Sequence, residues 1–124
     1  MSDRDFVVRA EQRIAAEHRI AVEVPADLLY FDGHFDGQPM LPGVAQVVAL
    51  VDRQTRRLVH GLGPALRLQR LKFTAVVGPG ETLVLTLAEE RMDREVRVRW
   101  RLERTDPPSG ESTASSGTIV YASA

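Results

Sequence analysis

Tyr30-Phe31-Asp32-Gly33-His34-Phe35-Asp36-Gly37-Gln38-Pro39-Met40-Leu41-Pro42-Gly43-Val44 is the stretch on which the reading of this chain turns. Its Gly, Asp and Pro content marks a loop, but it also carries Tyr30, Phe31, Phe35, Met40 and Leu41. A loop with that much apolar surface is expected to pack against the body of the protein rather than act as a linker. Gly33 and Gly37 open backbone conformations closed to other residues, while Pro39 and Pro42 stiffen the approach to the next element. Gly43 then stands at a helix start, where an amide N–H has no intrahelical partner. Such an amide can donate to a carbonyl oxygen that gains negative charge. His34, just upstream, is a candidate base or acid near neutral pH; a structural histidine held in a tight loop fits the same residues.

C-terminal to this stretch the period turns helical. Val44, Val47, Val48 and Val51 fall at i, i+3, i+4 and i+7, and Ala49 and Leu50 widen the apolar face. Valines are mediocre helix formers, so this helix is expected to depend on burial. Its second half, Asp52-Arg53-Gln54-Thr55-Arg56-Arg57, is polar and should emerge into solvent near Leu58 to His60, with the arginines suiting the negative end of the dipole. On the N-terminal side, Ile20, Val22 and Val24 alternate with Arg19, Ala21 and Glu23, a half-buried strand over 17–24 ended by Pro25.

The remainder reads as β. Leu66 and Leu68 begin an alternation that resumes out of phase at Leu71, Phe73 and Ala75, which predicts a bulge. Gly78-Pro79-Gly80 is a turn. Leu83, Leu85 and Leu87 alternate with Val84, Thr86 and Ala88, and Val96, Val98, Trp100 and Leu102 alternate with Arg97, Arg99, Arg101 and Glu103. The latter pattern belongs to an antiparallel sheet with one wet face. Residues 106–110 read as a surface loop and 117–121 as a last strand. One helix is available to cover one sheet face, so the expected architecture is α+β, a helix cradled in a curved antiparallel sheet, as a single domain over 1–124.

Composition narrows the chemistry. A net charge of −1 supplies no field toward nucleic acid or an anionic membrane, and the absence of cysteine excludes thiolate nucleophiles, thiolate metal sites and disulfides. The first residues carry charges where a signal peptide needs an apolar core, and no apolar run approaches the roughly 20 residues that span a bilayer; the expectation is a cytoplasmic protein. Asp32-x-His34-x-Asp36 can be read as metal ligands, but no further His or Cys completes a shell, so no metal or cofactor is expected. His18 and His60 read as solvated surface positions, and Trp100 and Phe73 as core. Ser109, Ser112, Ser115 and Ser116 lie in polar, loop-like sequence without a nucleophile-elbow pattern.

His34-Phe35-x-Gly37-x-Pro39-x-x-Pro42-Gly43-Val44 resembles the signature of the 3-hydroxyacyl-carrier-protein dehydratases, the FabA/FabZ-like thioester dehydratases. Through Tyr30-Phe31-x-Gly33-His34-Phe35 and Leu41-Pro42-Gly43-Val44-Ala45-Gln46 the resemblance is closest to their ApeI-like branch, associated with aryl polyene synthesis. Leu68-x-x-Leu71-Lys72-Phe73 and Val77-x-Pro79-Gly80-Glu81 also resemble the strand and turn after the family's central helix. The resemblance implies a hotdog fold, in which the sheet wraps the helix begun by Gly43. It implies dimers, or dimers of dimers, with an acyl chain in a tunnel between subunits. Catalysis would fall to His34 and to the carbonyl-polarising amide of Gly43, and Phe35, Pro42, Val44, Val47 and Val48 would contact substrate. The substrate would be a thioester on an acyl carrier protein or coenzyme A.

One position departs from the pattern. The family's helix carboxylate lies five residues after the glycine that matches Gly43, and here that residue is Val48, which neither donates nor accepts a proton. The next helical carboxylate, Asp52, lies a further four residues on, about 6 Å along an α-helix. Asp36 stands where a proline is common in the family. Three readings are open. The chain is a dehydratase or hydratase on carrier-bound 3-hydroxyacyl thioesters; or a half-site subunit whose partner, a second hotdog chain, brings the acid; or a thioesterase or acyl-binding module. Arg53, Arg56 and Arg57 read either as a docking face for an acidic carrier protein or as a solvated helix end.

Overall fold

The computed structural model describes residues 5–28, 41–105 and 112–124. Strands β1 (Val7–Ile14) and β2 (Glu17–Glu23) form a hairpin. The central helix comes next, then β3 (Leu62–Phe73), β4 (Thr82–Arg91), β5 (Glu95–Arg104) and β6 (Thr113–Ser123). All six join one antiparallel sheet in the order β1-β2-β4-β5-β6-β3, so the chain crosses to the far edge after the helix and returns. This α+β arrangement is a hotdog fold, a curved antiparallel sheet around a single central helix.

Alternation builds the inner face. Ile20 and Val22 of β2, Leu83, Leu85 and Leu87 of β4, and Val96, Val98, Trp100 and Leu102 of β5 are all buried against Val47, Leu50 and Val51 of the helix. Gly117 of β6 pairs with Trp100, and a Cβ there would stand 2.5 Å from Trp100 Cη2; only glycine leaves room for the indole. Trp100 Nε1 donates to Ser115 Oγ at 3.3 Å, so Ser115 is a buried strand residue and not part of a polar loop. The expected bulge in β3 is present. Register shifts between Gln69 and Lys72, and Arg70 takes a φ of 53°.

Two expectations from the sequence are corrected. His18 is 8% exposed, because it shares the inward face of β2 with Ile20. The helix is π-wound over Ala45–Asp52 before continuing as α over Arg53–Leu58. An i→i+5 ladder widens each turn, which rotates the apolar face away from the α-helical register. Val47 and Val51 are buried with Ala45, Ala49 and Leu50, but Val44 and Val48 are 72% and 59% exposed. Thr55 Oγ1 donates to the Val51 carbonyl at 2.7 Å where the winding tightens again. The β1 strand has no clear alternation, and ion pairs hold it instead. Arg57 grips Glu11 through two hydrogen bonds at 2.8 and 3.1 Å, Arg9 pairs with Glu23, and Arg53 ties Asp5 to the helix at 2.7 Å.

Candidate active site

The start of the helix is fastened to the segment after β3. Leu41 N–H donates to the Val77 carbonyl at 2.7 Å, and Gln46 N–H closes a turn on the Pro42 carbonyl at 3.1 Å. The Gly43 amide lies ahead of that bond, among the first N–H groups of a helix that lack an intrahelical acceptor. Phe73, last residue of β3, lies flat against Gly43. A Cβ on residue 43 would be 2.8 Å from Phe73 Cζ. The absent side chain at 43 thus admits the ring and keeps the helix start apolar. Gln46, one turn on and 3% exposed, donates from Nε2 to the Leu41 carbonyl at 3.4 Å, while its Oε1 has no partner among the described residues.

Beside this helix start the inner face of the sheet is only partly covered among the described residues. The buried cluster takes residues from β2, β4, β5 and β6, whereas of β3 only Leu62 packs at its margin. Leu68 and Phe73 share the inward face with their β6 partners Ile119 and Ser115, yet they remain exposed, as does Leu71. One helix is too narrow to roof a six-stranded sheet. Val44 and Val48 on the helix and Leu68, Leu71 and Phe73 on β3 are exposed apolar side chains, and Phe73 meets Gly43 at the helix start. Exposed apolar patches mark contacts with another chain or a ligand.

Asp52 sits at the end of the π-wound segment and is hydrogen-bonded within its own chain. Tyr121 Oη donates to its Oδ1 at 2.7 Å, and Arg56 Nε approaches its Oδ2 at 3.3 Å. The Arg56 guanidinium lies 4.9 Å over the Tyr121 ring and also donates to the Gly63 carbonyl at 3.2 Å. Burial, and secondly the hydrogen bond to Asp52, push the Tyr121 hydroxyl well above its ordinary pKa, so it stays a donor. A carboxylate with donors on both oxygens ties the helix to β6 and to the start of β3.

Of the residues nominated from sequence, Pro42, Gly43, Val44 and Val48 lie at and just after the helix start, with Val44 and Val48 exposed. Val47 turns the other way, into the core. His34 and Phe35, with Asp32 and Asp36, lie outside the described residues. Phe73 is half-exposed against Gly43 rather than part of the core, and nothing in the order of residues singles out Gln46. The available signal for Phe73 is its inward phase at the end of β3, opposite a glycine that has no room for a side chain.

An ApeI-like family model, described as ApeI dehydratase, matches residues 10–117. The chain belongs to the ApeI-like dehydratase family. Among curated relatives of this ApeI-like chain is the 3-hydroxyacyl-[acyl-carrier-protein] dehydratase FabZ of Oenococcus oeni, 28% identical over 96% of this chain and 85% of the relative. The FabZ of Gluconacetobacter diazotrophicus is 30% identical over 75% of this chain and 61% of the relative. Among solved structures, the dehydratase heterocomplex ApeI:P of Xenorhabdus doucetiae superposes with a TM-score of 0.73 at 27% identity, covering 94% of this chain and 96% of that one.

Proposed function

We propose that this ApeI-like chain interconverts 3-hydroxyacyl and 2-enoyl thioesters presented on a carrier protein. The observation that carries the reading is the Gly43 amide at the head of the central helix, beside exposed apolar side chains of the helix and β3. The thioester carbonyl accepts from that amide, which stabilises the negative charge that develops on its oxygen as the α-proton leaves. His34 takes the α-proton as a neutral imidazole, and the β-hydroxyl departs as water with a proton from an acid. The acyl chain lies along Val44 and Val48. The names of the FabZ relatives support the substrate class.

The acid is not supplied by residue 48, and both oxygens of Asp52 are taken by Tyr121 and Arg56. That observation favours a second reading, in which another hotdog chain covers the exposed apolar side chains and brings the carboxylate. The β3 edge exposes Leu66, Leu68, Leu71 and Phe73 alongside the cations Arg67, Arg70 and Lys72, whereas the opposite edge, β1, exposes Arg9, Glu11 and Arg13 with few large apolar side chains. A relative that is itself a heterocomplex supports the same reading.

Hydration of 2-enoyl thioesters of short and long chain, followed by loss of the conjugated thioester absorbance, tests both. Turnover by the wild type that His34→Ala abolishes supports the enzyme reading, and turnover that survives His34→Ala overturns it. A silent wild type that gains activity as Val48→Glu, or on adding a second hotdog chain, assigns the half-site. Val48 is 59% exposed, so the charge at 48 should leave the fold within about 0.5 kcal/mol of wild type.

A further inference from the structure

The outer face of the sheet, opposite the helix, holds a shallow groove of about 960 Å³ whose charges are unevenly paired. On its β2 and β4 side it carries acids, Glu17, Glu89 and Glu90; Glu17 approaches Arg19 at 3.9 Å and Glu89 holds Arg91 at 3.0 Å. Across β5, β6 and β3 the pattern changes. Arg99 pairs in register with Thr118 and Thr118 with Gln69; Arg101 pairs with Ser116 and Ser116 with Lys72. Register partners share a face, so Arg99, Arg101 and Lys72 all point outward over a floor of neutral hydroxyls and an amide. Arg70, in the bulge between Gln69 and Lys72, lines the same groove. The nearest outward acid on β5 is Glu103, two residues beyond Arg101 and paired with neither. Among the described residues none of Arg70, Lys72, Arg99 and Arg101 makes an ion pair, and all four are exposed.

We propose that Arg70, Lys72, Arg99 and Arg101 form the docking face for an acidic protein surface, that of the acyl carrier which presents the thioester; this rests on the dehydratase reading. The candidates at the helix end are spoken for. Arg53 is held by Asp5, Arg56 by Asp52 and the Gly63 carbonyl, and Arg57 by Glu11 and Gln54. Docking a carrier there would cost those pairs, whereas the outer-face cations give up only water. Two strand spacings of about 4.8 Å place the cations over roughly 10 Å, an open array that suits spaced carboxylates better than one phosphate. The chain's net charge is −1, so attraction to an acidic partner has to come from a local patch such as this. The patch reaches the edge strand β3, whose inward face carries Leu68, Leu71 and Phe73.

The test measures binding and turnover separately. An acyl carrier protein loaded with a 3-hydroxyacyl chain is titrated into wild type, Arg99→Glu/Arg101→Glu and, as a control of equal charge per site on another edge, Arg13→Glu. Turnover is measured on the same loaded carrier and on the N-acetylcysteamine thioester of the same acyl chain. The expected result is a rise in carrier Kd of at least about tenfold for the double reversal, no change for Arg13→Glu, and a KM increase confined to the carrier-borne substrate. Loss of wild-type binding above about 0.5 M salt should accompany it. Equal carrier affinity in wild type and double variant overturns the proposal, as does an equal loss with the small thioester. If neither substrate turns over but carrier binding is lost on reversal, the docking face stands and the catalytic reading fails.

Discussion

The Tyr121 hydroxyl donates to Asp52 Oδ1 at 2.7 Å from a ring that is itself wholly buried. Asp52 comes four residues after Val48, at the end of the π-wound part of the helix. The bond to Tyr121, with Arg56 on the other oxygen, commits it to holding the helix against β6. Tyr121→Phe is expected to cost about 1.5–3 kcal/mol in denaturant unfolding, the range for a hydrogen bond to a charged group. A loss under about 0.5 kcal/mol would mean that water replaces the hydroxyl at no cost.

Gly43 and Phe73 should couple. Gly43→Ala forces Phe73 aside and is expected to destabilise by about 1–3 kcal/mol. In a Phe73→Ala background the three nearest obstructing atoms are gone, so the same substitution should cost far less and gain up to about 1 kcal/mol from alanine's better helix propensity. A double-mutant cycle on thermal or chemical unfolding measures the coupling. Additive effects would show that the ring does not rest on Gly43 in solution.

The open β3 flank predicts association. Leu68→Lys with Leu71→Lys places charge on the exposed inward side of the edge strand, and sedimentation should shift from dimer to monomer. Arg13→Lys, on the β1 edge, should leave the assembly unchanged. A wild type that is monomeric at micromolar concentration would remove the second chain from the proposed site.

Acid should loosen β1 first. The hydrogen bond from Arg57 holds the Glu11 carboxyl below its usual 4.5, and Arg67 does the same for Glu95. A carboxylate depressed in the folded state adds stability above its unfolded value, and that contribution is lost as pH falls through the folded one. Melting temperature should therefore drop from about pH 5 downward, and the drop should be shallower in Glu11→Gln. Identical slopes would mean that the exposed pair contributes nothing measurable, as many surface pairs do.

The strands with clean alternation were legible residue by residue. Leu83, Leu85 and Leu87, and Val96 through Leu102, point inward as their period of two requires, and the phase slip before Leu71 is the bulge at Arg70. The burial of His18 was open to the same reasoning, because its phase with Ile20 places it inside even though its ring is polar. The Pro42-Gly43 helix start was equally plain, since a motif at fixed spacing is a property of order along the chain.

Other features depended on contacts between distant segments. The register of a helix face is set by which carbonyl each N–H finds, and the π winding over Ala45–Asp52, with Val47 buried and Val44 and Val48 exposed, is not signalled by the order of residues. Phe73 against Gly43 and Tyr121 against Asp52 are meetings across 30 and 69 residues, made by the crossover to β3 and the return to β6. Which arginines are free was undecidable from composition, because an ion pair is a distance in space. The sequence by itself determined the family and the alternating core. Tertiary structure alone decided that Asp52 bonds to Tyr121 and Arg56, and that the apolar side chains beside Gly43 are left exposed among the described residues.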